Sequence, residues 1–114
     1  MKSSCSAALA ATLWICASAA AADQLTAAQA QGKQVYDHWC IHCHAPGVWG
    51  TNRLARRMDK DQAVLENRTD LTAAGVRAVI RMGIGSMPAL RRTEISDAEA
   101  QAIAAYLTRQ RPQQ

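Results

Sequence analysis

The sequence predicts a small all-α domain whose first and last helices cross. Three observations carry that expectation. Two capping boxes stand near the two ends of the chain, Thr26-Ala27-Ala28-Gln29 and Ser96-Asp97-Ala98-Glu99. In each, a hydroxyl accepts from the third following backbone N–H, and that residue's side chain reaches back. The apolar residues after each box recur at helical spacing. No stretch alternates with period two for long enough to propose a strand.

Residues 1–22 read as a cleaved secretory signal peptide and residues 23–114 as the working domain. Lys2 supplies the positive start. An apolar run follows from Ala7 to Ala19, and Ala20-Ala21-Ala22 offers a small-residue cleavage site. The run is shorter than the ~20 residues of a comfortable membrane span. An uncleaved anchor is the alternative. A lipoprotein site at Cys16 needs a small residue before it, and Ile15 is bulky. Cleavage removes Cys5 and Cys16 and leaves Cys40 and Cys43 as the cysteines of a 92-residue chain. Export of this bacterial type implies a periplasmic protein that does not span the membrane once cleaved.

The first helix runs from the Thr26 cap to about Cys40. Gly32, Val35, Tyr36 and Trp39 share a face. Gly32 inside a helix costs about 1 kcal/mol relative to Ala, which a close helix crossing would justify.

Cys40-Ile41-His42-Cys43-His44 follows at once. Two cysteines two residues apart, then histidine, is the attachment pattern of c-type haem. The thiols can add to the two vinyl groups of one porphyrin, and the next residue then stands under the iron. Cys40 and Cys43 are thus the expected thioether anchors of one haem c, and His44 the proximal iron ligand. A thioredoxin-like pair would sit after a strand, and the flanks here look helical. A zinc site needs two more ligands at regular spacing; His38 and His42 are near, but no second cluster lies downstream. With no Phe, and Tyr36, Trp39, Trp49 and Tyr106 as the aromatics after cleavage, the mature chain has little apolar core. A covalent haem would complete it.

Pro46-Gly47 and Gly50-Thr51-Asn52 mark a loop. A backbone carbonyl there is expected to accept the Nδ1–H of His44. Asp59 to Asn67 reads as a short helix with a weak face at Ala63, Val64 and Leu65 or Glu66. Thr72 caps a clearer helix with Val76, Val79 and Ile80 inward, ended by Gly83.

Gly83-Ile84-Gly85-Ser86-Met87-Pro88 is then a loop. Met87 is the expected distal iron ligand, with Pro88 stiffening the chain behind it. A thioether there raises the potential and suits an electron carrier. Met82 is expected in the core, Met58 in a polar stretch, His42 in solvent, and His38 too near Cys40 to reach the far face. An open distal site, for ligand binding or peroxidase chemistry, is the alternative. The last helix follows Ser96, with Ala100, Ile103, Ala104 and Leu107 as its stripe and Tyr106 beside it. Arg109 and Arg111 suit its C-terminal end, and Pro112 helps to stop it.

Over residues 26 to 110 these features resemble the class I c-type cytochromes. The resemblance rests on Gly32, Tyr36, Cys40-Ile41-His42-Cys43-His44, Met87-Pro88 and Tyr106. It implies a small helical electron carrier with His/Met haem, in which Gly32, Tyr36 and Tyr106 meet at the crossing. Many members have Gly-Pro after the motif, the proline carbonyl holding the proximal histidine. The nearest match here is Gly50-Thr51, so the resemblance gives that task to the Thr51 carbonyl. A narrower likeness lies in Tyr36 to Pro46, Arg81-Met82-Gly83 and Ser86-Met87-Pro88-Ala89. These are similar to the cytochrome subunits of the 4-cresol dehydrogenase (p-cresol methylhydroxylase) and eugenol hydroxylase family, though Leu54 to Leu71 looks longer here. That likeness implies an electron-accepting subunit docked on a flavoprotein dehydrogenase of 4-alkylphenols, passing electrons on to another cytochrome or a copper protein.

The formal charge of +4, or +3 without Lys2, is weak evidence for nucleic acid, and export argues against it. Propionate screening or an acidic partner accounts for it better. Arg81, Arg91 and Arg92 are the candidate rim of a docking patch around Ile84, Pro88 and Ala89. The alternatives to a flavoprotein subunit are a freely diffusing carrier for a terminal oxidase or another dehydrogenase, and an open-site haem enzyme or sensor. As a flavoprotein subunit or as a free carrier the chain is not itself an enzyme.

Overall fold

The computed structural model describes residues 24–109. The expected signal segment, Arg111 and Pro112 lie outside them. Six helices follow one another: α1 (Ala27–Trp39), α2 (Ile41–His44), α3 (Trp49–Leu54), α4 (Lys60–Ala63), α5 (Ala73–Met82) and α6 (Asp97–Leu107). A single 3-10 turn, Leu65–Asn67, stands between α4 and α5. The fold is all-α; among the described residues extended pairing amounts to one isolated bridge, Ile84 with Met87.

Both capping boxes form, at Thr26/Gln29 and Ser96/Glu99, so α1 and α6 begin where the sequence places them. The two helices pack on each other at Gly32. A Cβ there would collide with the carbonyl oxygen of Ala102 and come within 2.9 Å of the Tyr106 Cβ. Gly32 is therefore required by the approach of two backbones. Tyr36 and Tyr106 flank the crossing with ring centroids 5.7 Å apart, tilted by 53°. Such an offset pair contributes about 1 kcal/mol beyond its buried area.

α6 is the centre of the core. Ala100, Ala102, Ile103, Ala104, Tyr106 and Leu107 are all buried along it. Its small side chains let α1 approach on one side, and α5 packs on another. Tyr36, Ile80, Ile95, Ala100, Ile103, Tyr106 and Leu107 form one cluster, with Val35, Cys40, Leu65, Leu71, Val76 and Leu90 against its edge. Tyr106 is thus a core residue, and its hydroxyl donates to Glu66 from the 3-10 turn. That bond fastens the 60–67 segment to the terminal helices.

Three expectations need correction. The stretch read as a loop contains a helix: Gly47 turns with φ +78°, but Gly50, Thr51 and Asn52 are helical within α3. The 59–67 helix is broken. Asp59 caps the single turn of α4, Val64 is extended (φ −78°, ψ 112°), and a 3-10 turn follows. Ala63 is buried there as expected. Met82 is not core but 74% exposed at the end of α5.

Candidate functional site

The attachment pattern is itself a helical turn. The N–H of Cys40 donates to the Tyr36 carbonyl at 2.8 Å, closing α1. The Cys40 carbonyl then accepts from His44 N–H at 2.9 Å and Cys43 N–H at 3.1 Å, opening α2. Residues three and four apart share one side of a helix. Cys40, Cys43 and His44 therefore stack on one face, while His42 points into solvent as expected. Sequence spacing alone did not show that the motif is helical.

α3 packs against this turn through a second glycine. A Cβ on Gly50 would lie 2.5 Å from the Cys43 carbonyl oxygen. The residue after Val48 and Trp49 must be glycine for α3 to lie this close to α2. Asn52 Nδ2 bonds the Gly47 carbonyl at 2.9 Å and holds the connection.

The chemistry of these groups separates the readings of the motif. Cys40 and Cys43 are free thiols. Burial, then the neighbouring Cys43, pushes the Cys40 thiol up to about 11. A redox dithiol works by a lowered thiol pKa, so this pair lacks that activation. Among the described residues no three His, Cys, Asp or Glu side chains gather in a way that would hold a metal ion. Burial pushes His44 below its usual value, which favours the neutral imidazole that a metal ligand needs. Two thiols and a neutral imidazole on one turn fit a covalent haem.

The His44 Nδ1 atom is buried without a protein partner. The Thr51 carbonyl bonds Ala55 N–H at 2.9 Å instead. The expected hydrogen bond from His44 to that carbonyl is therefore not made. Residue 51 is inside a helix, and its carbonyl serves the i+4 amide. The Thr51 hydroxyl is likewise buried and unpartnered.

Met87 stands on a separate loop. Gly83 ends α5 at φ +68°, and Gly85 sits at φ +58° in the turn beyond. Ile84 and Met87 exchange backbone hydrogen bonds at 3.1 and 2.9 Å across that turn. A Cβ on Gly83 would meet the Met87 carbonyl oxygen at 2.5 Å. Leu90 N–H then bonds the Ile80 carbonyl at 2.8 Å and returns the chain to α5. Met87 is half-buried and Ile84 is 67% exposed. α5 enters the core cluster through Ile80 and Cys40 packs against that cluster, so both parts of the site are anchored on one body.

The expected arginine rim is largely neutralised. Arg81 and Arg92 both reach Asp97, each at 2.8 Å, and Arg91 pairs with Glu94 at 3.5 Å. Arg92, then Arg81, holds the Asp97 carboxyl below its usual range. Arg81 also donates to the Leu90 carbonyl at 3.1 Å. These side chains join the Met87 loop and α5 to the start of α6. They are fold contacts before they are docking contacts.

Crossed terminal helices, a Cys-x-x-Cys-His turn and a methionine loop together define a class I c-type cytochrome, an electron-transfer protein carrying covalently bound haem c. The chain belongs to the family described as cytochrome c oxidase, cbb3-type, subunit III, whose model matches residues 27–107. It is also similar to the 4-cresol dehydrogenase [hydroxylating] cytochrome c subunit of Pseudomonas putida, with 34% identity over 77 residues. That match covers 68% of this chain and 58% of the relative's length.

Proposed function

We propose that the chain is a periplasmic monohaem carrier that accepts single electrons from a flavin-dependent dehydrogenase of 4-alkylphenols. Residues 1–22 are its signal peptide and residues 23–114 its working domain. Cys40 and Cys43 would form the haem thioethers, and His44 and Met87 would hold the iron. The observation that carries the site assignment is the turn of α2, which stacks Cys40, Cys43 and His44 on one side. Bound haem c supplies a one-electron ferric/ferrous couple. His44 and Met87 would serve both states. His44 offers a neutral imidazole, and Met87 offers a thioether whose loop is pinned by paired backbone bonds. Retaining both ligands keeps reorganisation small, as a carrier requires. The chain thus serves the oxidoreductase without performing the substrate chemistry.

The proposed donor follows from the relative, which is named as the cytochrome subunit of a hydroxylating 4-cresol dehydrogenase. The test is purification from the native source. Co-elution of the haem with a larger flavin-containing chain, and haem reduction on adding 4-cresol, is the expected result. A lone haem peak at monomer size, silent to 4-cresol, would overturn the assignment of partner. It would favour the second reading, a freely diffusing carrier to a terminal oxidase. Among the described residues no helix is long and apolar enough to cross a membrane.

A further inference from the structure

The basic residues divide into two sets. Lys33, Arg68, Arg81, Arg91 and Arg92 each meet a carboxylate. Arg77 bonds Gln101 at 2.9 Å, and Arg109 lies over the Tyr106 ring. Among the described residues, Arg53, Arg56, Arg57 and Lys60 are the cations left without a partner. All four are exposed and all lie between the last turn of α3 and the first residue of α4. The Arg57 N–H bonds the Leu54 carbonyl at 2.9 Å, continuing the helical turn. Arg53, Arg56 and Arg57 therefore stand three and four apart on one side. Asp59, within the same stretch of sequence, accepts from the Asp61 N–H at 2.8 Å.

We propose that this α3–α4 face docks the acidic surface of a redox-protein partner. The proposal rests on the carrier reading and names the contact through which electrons are exchanged. Four unpaired cations on one short segment repel one another and are relieved by opposite charge; they also speed encounter with an acidic body. The face adjoins the motif, because α3 packs on the α2 turn through Gly50 and Cys43. Trp49, 54% exposed at the start of α3, adds the kind of aromatic that anchors protein interfaces beside arginine. Asp59 and Asp61 interrupt the basic run. That mixed pattern suits a protein surface better than a uniformly anionic lipid surface.

The test compares two holoprotein variants of equal net charge, Arg56→Glu/Arg57→Glu and Arg91→Glu/Arg92→Glu. Oxidised plastocyanin serves as an acidic one-electron acceptor: one electron passes from ferrous haem to Cu(II), with no proton moved. At low ionic strength the second-order rate should fall about tenfold or more in the first variant and less than threefold in the second. The gap should close in high salt. Cadmium-substituted plastocyanin, which is redox-inert, should shift the backbone amides of residues 49–60 in the wild type and not those of 91–92. Equal rate losses in the two variants, or amide shifts centred on 91–92, would overturn the proposal. So would binding to phosphatidylglycerol vesicles that is lost in the first variant while its plastocyanin rate is unchanged. Failure of the carrier reading is seen separately, as CO binding by the ferrous wild type; the amide shifts then still decide the docking face.

Discussion

Gly32 and Gly47 are both glycines, and the structure needs them for different reasons. Gly32 leaves no room for a Cβ against the Ala102 carbonyl, whereas Gly47 has nothing within 4 Å but sits at φ +78°. Gly32→Ala should cost about 3 kcal/mol, as overpacking does at its upper end. Gly47→Ala should cost about 1 kcal/mol, the left-handed penalty alone. Urea unfolding of the holoproteins checks the order, and a reversal would refute the packing account. The two tyrosines make a similar contrast. The Tyr36 hydroxyl is buried without a partner, and the Tyr106 hydroxyl donates to Glu66. Tyr36→Phe should leave stability unchanged or raise it by about 1 kcal/mol, and Tyr106→Phe should lower it by about that much. Burial, then the Glu66 bond, pushes Tyr106 up to about 12. A phenol raised on folding contributes stability that is complete below its unfolded value, about 10, and is lost as pH rises through the folded value. Wild type should therefore lose stability relative to Tyr106→Phe between about pH 10 and 12 in thermal melts. At Met87, the proposed ligation predicts that Met87→Ala abolishes the ferric methionine–iron charge-transfer band and lowers the potential. An unchanged spectrum would eliminate Met87 as the ligand.

At the scale of elements, what the sequence made legible was what depends on neighbours along the chain. The boxes at Thr26 and Ser96 and the cap at Thr72 begin α1, α6 and α5 where expected, because side-chain capping is a local event. Gly83 ends α5 for an equally local reason, its positive φ. α3 was illegible because Gly50-Thr51-Asn52 has the composition of a turn. Its helix is fixed by contact with Cys43, a tertiary fact. The 3-10 turn that replaces the second half of the 59–67 helix also has a distant partner, the Tyr106 hydroxyl reaching Glu66. For the site, three donors on one turn follow from spacing once the turn is known to be helical. The failure of the Thr51 carbonyl to serve His44 does not, because it depends on α3 being a helix.

The whole molecule is held by one cluster in which tyrosine, isoleucine and alanine predominate, around α6. The described residues, 24–109, are few for an apolar core, and a domain of this size is marginal without a staple. The double variant Cys40→Ser/Cys43→Ser, exported without bound haem, should show little helical circular dichroism and no cooperative melt. A cooperative transition in that variant would show that the α1–α5–α6 cluster suffices alone. The distribution of charge belongs to this scale too. Pairing of Arg81 and Arg92 with Asp97 stiffens one side of the molecule, and the α3–α4 segment keeps its cations for solvent or a partner.

Cys40 ends one helix and begins the next, so no hinge separates the crossing at Gly32 from the motif eight residues later. α1 and α2 turn as a single lever. Wedging the helices apart at Gly32 would swing the thiols and imidazole with it. The colour of the protein then acts as a strain gauge, reporting in visible light on a backbone contact that carries no chromophore of its own.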